Sequence, residues 1–280
     1  LVVATGDDYR LVRVRAAASL AGVQNLALDD AQKKTVAAAN EEYLASILSR
    51  PDQWASHYNL GNYHLDRRDY KQAVASYDTA LKLEPRAVLA MVNESMAYAR
   101  MGENKKADAS LKTALRVAPD NAAANFNMGL LKAEENDPGG AEMHLKAALK
   151  ADPQMAQAAY NLCIILSGDR LTEAVGFCRQ AAELRRDVPK YAYTLAFFQL
   201  QTGETANAAA VLDDLIGRYP AYADAYLLLG GIFEKQGDNV KAEEVYSKGL
   251  AAEGIPDSHR FGMKVRMDAL KAATTGAEMK

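Results

Sequence analysis

The residues most able to carry chemistry in this sequence are its four histidines, its two cysteines and a few neighbouring carboxylates. His57 and His64 would lie two helical turns apart, but no further ligand follows at a spacing that would complete a zinc site. Adjacent acids such as Glu134 and Glu135 point in different directions on a helix surface. No phosphate-binding loop, CxxCH haem motif or GxSxG nucleophile motif occurs. We therefore expect no metal, no cofactor and no catalytic group, and we predict that the protein is not an enzyme.

The overall composition is that of a globular protein rich in helix-forming residues. Of its 280 residues, 49 % are hydrophobic and 25 % are charged, and the net charge is −3. This balance argues against a nucleic-acid-binding protein, which carries an excess of positive charge. The longest apolar stretch, Met155–Gly168, is too short and too polar to cross a membrane.

The chain begins with Leu1 instead of methionine, which indicates a fragment or a processed chain. The compartment is therefore left open, leaning to the periplasm.

Small residues recur along the chain about every thirty-four residues, starting with Gly61. An alanine follows twelve residues after each of them, except in one repeat where it comes one residue early. A proline closes most of the repeats. A period of this length is typical of stacked helical repeats. The recurring alanines are Ala73, Ala107, Ala141, Ala174, Ala208 and Ala242.

Each repeat is predicted to contain two amphipathic helices. In the first repeat these are Trp54–Arg67 and Tyr70–Leu83, and the same pattern continues to Pro256 without any strand. Gly61 and Ala73 are small because two helices approach each other closely at these positions. Since one helix pair cannot bury its own apolar faces, neighbouring repeats must stack.

This pattern resembles the tetratricopeptide repeat (TPR) family over six repeats, from Trp54 to Pro256. The resemblance implies an all-α protein, a right-handed α-solenoid of helix-turn-helix repeats whose first helices line a concave surface. The segment 1–53 is predicted to hold HEAT-like or degenerate repeat helices, and the segment 257–280 a capping helix and a frayed tail. The predicted repeats span residues 54–87, 88–121, 122–155, 156–188, 189–222 and 223–256.

Two helices are expected before the first repeat and one after the last. Asp7–Gly22 resembles a HEAT-repeat helix in its acidic start and its alanine run, and Lys33–Pro51 keeps the spacing of a second TPR helix. Asp257–Ala273 is predicted to form the capping helix, with Asp257 or Ser258 as its N-cap. The residues after Ala273 are expected to fray.

Cys163 and Cys178 occupy, in the fourth repeat, the positions that Gly61 and Tyr77 take in the first. A short turn between antiparallel helices would bring these two positions side by side. The pair is either two small buried thiols or a disulfide, and a disulfide requires an oxidising compartment and a suitable Cα separation. The sequence leaves both alternatives open.

A second stripe of side chains follows the first helices, beside a row of asparagines. In the O-linked N-acetylglucosamine transferase members of the family, an asparagine at this place belongs to a ladder that holds an extended peptide by its backbone. The resemblance therefore implies a groove in which asparagine amides hold peptide backbone and apolar pockets hold side chains. The asparagines stop after the fourth repeat, where Thr194 and Leu228 follow. The candidate groove residues are Tyr58, Asn59, Asn62, Asn93, Phe126, Asn127, Leu130, Tyr160, Asn161, Ile164, Tyr193 and Phe197, and the stripe also contains Val92, Met96, Leu227 and Gly231.

We predict a protein–protein interaction module that binds a peptide or helix of a partner protein in this groove. Chaperone tails with terminal carboxylates are not expected, because the stripe contains no lysine or arginine. Alternatively, the asparagines serve inter-repeat packing, and the chain is a structural or oligomerisation scaffold of a larger protein, such as the repeat tail of an exported multihaem cytochrome. Neither nucleic-acid binding nor membrane insertion is expected, and homo-oligomerisation is left open.

Overall fold

The computed structural model of the chain describes residues 1–278, with side chains to residue 272. Over this range the chain is helical throughout and contains no strand, as the repeat pattern predicts. A short 3-10 helix, Val3–Gly6, precedes the α-helices. These are α1 (Arg10–Leu20), α2 (Asp30–Ile47), α3 (Trp54–Asp66), α4 (Tyr70–Leu83), α5 (Val88–Arg100), α6 (Asn104–Val117), α7 (Ala122–Glu134), α8 (Pro138–Ala151), α9 (Ala156–Leu166), α10 (Leu171–Leu184), α11 (Pro189–Gln201), α12 (Thr205–Arg218), α13 (Ala223–Lys235), α14 (Asn239–Ala251) and α15 (Asp257–Glu278).

The chain divides into two compact bodies. The N-terminal body, Leu1–Ala151, contains α1 to α8, and the C-terminal body, from Asp152 onwards, contains α9 to α15. In the N-terminal body α3 packs on α4, α5 on α6 and α7 on α8. In the C-terminal body the corresponding pairs are α9 with α10, α11 with α12 and α13 with α14. The first predicted helix pair is confirmed to within one residue, but nothing in the repeat pattern predicted the division.

The small residue of each first helix lies against the second helix of its own pair. A Cβ atom on Gly61 would lie 2.4 Å from the ring of Tyr77, and one on Gly230 would lie 2.3 Å from the ring of Tyr246. Both tyrosines are fully buried and fill the space that the missing side chain leaves. The smaller leucine takes this position in the third repeat, where a Cβ on Gly129 would lie 2.7 Å from Leu145. Close helix approach therefore depends on one small and one large residue at each crossing.

The fourth repeat replaces this small–large pair by a covalent bond. Cys163 of α9 and Cys178 of α10 form a disulfide, and their Cα atoms are 5.1 Å apart, within the range that a disulfide spans. Both residues are buried, with Leu195 and Val175 in the same apolar cluster. Of the two alternatives that the sequence left open, the structure therefore contains the disulfide.

Most of the turns inside the repeats use the same left-handed backbone conformation. Gly102, Gly203 and Gly237 follow the ends of α5, α11 and α13 with φ between 74° and 82°. Glycine is favoured at such a position because a Cβ atom makes positive φ costly. The equivalent positions after α3 and α7 are Arg68, with φ 64°, and Asn136, with φ 60°. Five helix pairs of different sequence thus keep one turn geometry, although in one of them an arginine must adopt it.

Two helices precede the first repeat, and their ends differ from the predicted segments Asp7–Gly22 and Lys33–Pro51 by two to four residues. Helix α2 begins after Asp29, whose carboxylate accepts the backbone N–H of Gln32 at 2.8 Å while the Gln32 side chain accepts the N–H of Asp29. This reciprocal capping satisfies two amide groups that the helix itself leaves unpaired. Arg13 of α1 donates two hydrogen bonds of 3.0 Å to the carboxylate of Glu42, which ties α1 to α2.

The C-terminal helix differs from the prediction in its N-cap. The carbonyl of Pro256 accepts the N–H groups of His259 and Arg260, so Asp257 is already helical and neither Asp257 nor Ser258 is the N-cap. The helix runs to Glu278, and the fraying expected after Ala273 stays a prediction. The predicted tail beyond Glu278 lies outside the described residues. The Arg260 guanidinium also donates to carbonyls at the end of α14, including that of Ala252 at 2.7 Å, which fixes α15 as a cap on that helix.

Candidate binding grooves

A groove open to solvent runs between the first helices α5 and α7 of the N-terminal body. Its volume is about 300 Å³, and its apolar walls are formed by Met96, Phe126 and Leu130. Met96 is 38 % exposed although it is a large apolar residue. Arg100 and Glu134 lie one helical turn beyond Met96 and Leu130 and add one charge of each sign to the lining. The groove can therefore accept an apolar side chain flanked by polar groups. The lining residues are Ser95, Met96, Ala99, Arg100, Ala107, Leu111, Phe126, Asn127, Leu130, Leu131 and Glu134.

Three of the predicted groove residues bind one another across the first two repeats. The side-chain oxygen of Asn62 accepts hydrogen bonds from the Tyr77 hydroxyl at 2.7 Å and from the Asn93 amide at 2.8 Å. The same Asn93 amide group lies 3.3 Å from the hydroxyl of Tyr58. Burial raises the pKa of the Tyr77 hydroxyl, which keeps it protonated as a donor. These side chains therefore tie α3, α4 and α5 together.

The remaining asparagines of the predicted ladder have different surroundings. Asn127 lines the α5–α7 groove beside Phe126. Asn59 is exposed and lines a separate depression of about 450 Å³ on the side of α2. Asn161, in the C-terminal body, donates to the carbonyl of Gln157 in its own helix at 2.8 Å. Of the three ladder asparagines in the N-terminal body, Asn59, Asn93 and Asn127, only Asn127 lines the apolar groove.

A cluster of tyrosines lies near the amino-terminal ends of the first helices in the C-terminal body. The ring of Tyr160 stacks on Tyr191 with centroids 4.5 Å apart, and Tyr193 lies 5.6 Å from Tyr222. Partial burial raises the pKa of Tyr222, and the neighbouring groups Asp224, Tyr193 and Tyr160 raise it further. Because Tyr160 belongs to the other ring pair, the two ring pairs are close to each other. The sequence singled out Tyr160 and Tyr193 but missed Tyr191 and Tyr222. Both fall outside the stripe of the first helices, and only their aromatic character could have indicated them.

Other members of the predicted stripe divide into exposed and buried residues. Ile164 and Phe197 of the C-terminal body are 43 % and 41 % exposed. Leu227 and Gly231 line a second groove in that body, of about 480 Å³, to which Arg266 of α15 also contributes. Val92, by contrast, is only 3 % exposed and belongs to the core of the N-terminal body. The expectation that Val92 contributes to the groove is therefore wrong, because its side chain packs inward between helices.

A larger hollow, of about 730 Å³, lies between the second helices α10 and α12 of the C-terminal body. Its arginines are paired with carboxylates: Arg179 lies 3.2 Å from Glu204, and Arg218 lies 2.6 Å from Asp214. The hollow adjoins Ala182, a small residue where every other repeat has a larger aliphatic one. The missing side chain at this position accounts for part of the hollow. The larger residues are Leu81, Leu115, Leu149, Ile216 and Leu250.

One buried carboxyl group stands in the core of the N-terminal body. Glu94 of α5 is 6 % exposed and occupies the position that Leu60 and Met128 take in the neighbouring repeats. The hydroxyl of Ser110 donates to it at 2.6 Å. Burial and the neighbouring carboxyl of Asp78 together raise the pKa of Glu94 to about 7, although the Ser110 hydrogen bond opposes them. Glu94 faces the core instead of the groove, so its role is structural.

The histidines do not converge on a metal site. His57 contacts the carbonyl of Pro51 at 2.9 Å, and His144 contacts the side-chain oxygen of Asn125 at 3.0 Å. His64 packs edge-on against Tyr63, and burial lowers its pKa, so the neutral form is favoured. Within the described part of the chain, no group of three histidines, cysteines or acids is placed to hold a metal ion.

The repeat architecture is matched by known protein families. Models of the tetratricopeptide repeat match residues 54–86, 89–121, 126–189 and 199–257, which together cover more than half of the chain. The chain belongs to the tetratricopeptide repeat family. TPR proteins are protein–protein interaction modules, and this much of the predicted function follows from the family. Comparison with curated proteins finds no match.

Several solved TPR structures share the fold. PilF of Pseudomonas aeruginosa has 21 % identity and a TM-score of 0.60 over 72 % of this chain and 92 % of its own. PilW, described as a widely conserved type IV pilus biogenesis factor, has 26 % identity and a TM-score of 0.56 over 71 % of this chain and 92 % of its own. YrrB, described as a TPR protein with an unusual peptide-binding site, has 20 % identity and a TM-score of 0.50, covering 64 % and 93 %. Across the residues that the structure describes, no helix has both the length and the hydrophobicity needed to cross a membrane.

Proposed function

We propose that this TPR protein binds a short segment of a partner protein along its first helices, with the α5–α7 groove of the N-terminal body as the anchor pocket. The observation that carries the proposal is the apolar lining of a solvent-open groove by Met96, Phe126 and Leu130. Large apolar side chains that line a concave surface are the usual anchor sites of protein partners. Asn127 lies in the same groove and has an amide that can pair with a peptide unit.

The size of the groove limits the affinity that it alone can supply. Burying one large apolar side chain of the partner contributes roughly 1.5–3 kcal/mol. One hydrogen bond from the Asn127 amide adds about 1 kcal/mol. Micromolar binding needs about 8 kcal/mol, so the groove alone supports only weak binding of a single residue. A stable partner must therefore extend along the first helices and use further contacts, for which Asn59, Tyr58 and Asn62 are candidates in the same body.

The alternative function, a structural scaffold within a larger protein, is favoured by a different observation. The Asn93 amide is already bonded to Asn62 and lies near the hydroxyl of Tyr58. This hydrogen bond stabilises the contact between the first and second repeats, and it would be lost if the Asn93 amide rotated to bind a peptide. In this alternative the asparagines hold the repeats together, and the groove is a consequence of stacking.

The two functions are separated by selecting binders from a phage-displayed library of random twelve-residue peptides on the whole chain. If the groove binds peptides, selected sequences share an apolar anchor, and Phe126→Ala weakens their binding by about tenfold. Asn127→Ala weakens them by about fivefold, largely irrespective of sequence, because an amide holds backbone. Met143→Ala, which removes an exposed apolar residue of α8 outside the groove, serves as the matched control and leaves binding unchanged.

Failure of the selection to enrich any peptide contradicts the proposal, and so does equal binding to wild type and to Phe126→Ala. The scaffold alternative predicts a different pattern. There, Asn93→Ala lowers the midpoint of denaturation, since it breaks a hydrogen bond between repeats, while Phe126→Ala affects no binding at all. Measuring stability and peptide binding on these four variants therefore distinguishes a binding groove from inter-repeat packing.

A further inference from the structure

The four tyrosines Tyr160, Tyr191, Tyr193 and Tyr222, here called the tyrosine patch, lie together with hydroxyl groups that have no protein partner in the described part of the chain. Three other tyrosines show the alternative arrangement: Tyr77 donates to Asn62, Tyr246 to Glu234 and Tyr219 to the carbonyl of Arg186. Within the described residues, no hydroxyl of the tyrosine patch makes a hydrogen bond to protein, although every ring is half-buried. Partly buried tyrosine hydroxyls normally find a partner, so the patch presents four free donors beside apolar rings.

The row of asparagines ends in this region. Repeat four keeps Asn161, whose amide donates to the carbonyl of Gln157 in its own helix at 2.8 Å, and repeats five and six have Thr194 and Leu228 instead. The Thr194 hydroxyl donates to the carbonyl of Lys190 in its own helix at 2.8 Å. An asparagine amide can both donate to and accept from a peptide unit, whereas tyrosine hydroxyls beside carbonyl oxygens act as donors. The surface thus suits a chain segment that offers carbonyl groups and few N–H groups.

Proline-rich segments have this chemistry. Each proline lacks an N–H group, leaves its carbonyl free to accept a hydrogen bond, and presents a flat apolar ring. Such segments are preformed as polyproline II helices, and proteins bind them on surfaces lined with aromatic side chains. We propose that the tyrosine patch binds a proline-rich segment of a partner protein in the polyproline II conformation. This inference rests on the proposed function, because it names the kind of segment that the C-terminal body takes.

One charge beside the patch defines an end of that segment. The Lys190 ammonium lies 5.0 Å from the ring centroid of Tyr160 and has no carboxylate partner among the described residues. Asp224, near the other ring pair, is already partnered, because its carboxylate lies 3.1 Å from Nε2 of His259. A segment with an acidic residue at the Lys190 end complements this arrangement.

Ring packing alone offers a competing explanation, since Tyr191 could serve only to hold α11 against α9. Phenylalanine substitutions separate the two roles, because they keep the ring and remove the hydroxyl. Tyr191→Phe and Tyr222→Phe break no protein hydrogen bond, so both variants are expected to fold. Tyr98→Phe, at a half-buried tyrosine of the N-terminal body, is the matched control.

The test uses fluorescence anisotropy of labelled eight-residue probes on the whole chain. Two probes are proline peptides, one with an aspartate at the amino end and the other with an aspartate at the carboxyl end. The third probe is a glycine–serine peptide that also contains one aspartate. We expect the proline probes to bind, one orientation more tightly than the other, and the glycine–serine probe to bind at least tenfold more weakly. Tyr191→Phe and Tyr222→Phe should each weaken the proline probes by about fivefold, as the loss of one hydrogen bond does. Lys190→Gln should abolish the difference between the two orientations, and Tyr98→Phe should change nothing.

Equal binding of proline and glycine–serine probes overturns the inference, and so does unchanged binding in both phenylalanine variants. The outcome is independent of the α5–α7 groove. If library peptides bind and are lost in Phe126→Ala while the proline probes never bind, the proposed function stands and this inference fails. If the proline probes bind and no library peptide depends on Phe126, the tyrosine patch stands and the α5–α7 anchor fails.

Discussion

Cys163 and Cys178 are bonded at the crossing of α9 and α10, in the positions that Gly61 and Tyr77 occupy at the crossing of α3 and α4. One crossing is held by a covalent bond and the other by a glycine seated against a buried ring. The two repeats close the same crossing by different chemistry. Because the positions are equivalent, each crossing can be tested by replacing its two residues with those that another repeat has there.

The disulfide is expected to stabilise the C-terminal body. A bond that closes a loop of fifteen residues contributes about 3 kcal/mol by restricting the unfolded chain. Reductant should therefore lower the denaturation midpoint of the wild type. Replacing Cys163 by alanine and Cys178 by leucine installs the pair that Ala196 and Leu212 form in the next repeat, and this variant should fold and be indifferent to reductant. Mass spectrometry after alkylation without reductant shows whether the bond is present, and an unchanged midpoint on reduction would contradict the prediction.

Gly230→Ala is expected to destabilise the protein by about 1–3 kcal/mol, because the new Cβ atom would lie 2.3 Å from the buried ring of Tyr246. Gly176→Ala is the matched control. Gly176 is exposed within α10, and a Cβ there meets no atom within 4 Å. The control should stabilise the protein by about 0.5–1 kcal/mol through helix propensity. Urea denaturation measures the change in the free energy of unfolding for both variants. A change in the same direction for both would show that the crossing is not tightly packed.

Arg68→Gly is expected to stabilise the N-terminal body by roughly 0.5–1 kcal/mol. Arg68 has φ 64° in the turn after α3, where Gly102, Gly203 and Gly237 stand in other repeats. A glycine adopts this conformation without the steric cost of a Cβ atom, and this gain exceeds the extra entropy of the unfolded chain. Arg67→Gly, one residue earlier and with φ −79°, should instead destabilise the protein. Thermal denaturation of the two variants checks the direction.

Stability is expected to fall as the pH rises, because of Glu94. Its pKa is about 7 in the folded protein and 4.5 in an unperturbed chain, so the folded protein holds the proton more tightly than the unfolded one. The proton on Glu94 therefore stabilises the folded protein by about 3 kcal/mol at most. This stabilisation is fully present below about pH 4.5 and is lost as the pH rises through about 7. Asp78 of α4 raises this pKa, and Glu94 in turn contributes to the raised pKa of Tyr98 on α5.

Glu94→Gln tests this origin. The variant should be more stable than wild type at pH 8 and should gain little at pH 5, as urea denaturation at the two pH values would show. Glu41→Gln, at an exposed residue of α2, is the matched control and should change neither value. The same stability increment at both pH values would mean that Glu94 is ionised throughout, contrary to the prediction.

The helix positions could be read from the sequence because they depend on local chemistry. The predicted Tyr70–Leu83 helix is observed without change, since its apolar period and the proline that follows it act within a few residues. Gly61 and the two cysteines could also be assigned to helix crossings, because a register repeated six times places equivalent positions together. Val92 was misjudged for the opposite reason. On a helix packed between others, the period alone does not decide which side of the apolar stripe faces solvent.

The tertiary structure alone decided what the side chains of the first helices do. Asn93 and Asn127 are equivalent in sequence, yet one ties two repeats together through Asn62 and the other lines a groove. Tyr191 and Tyr222 lie outside the predicted stripe, yet each packs on a ring within it. The division into two bodies after Ala151 was likewise invisible in the period. A repeat pattern specifies the contacts that every repeat shares, whereas a binding surface depends on neighbouring side chains that differ from one repeat to the next, and those contacts exist only once the helices are stacked.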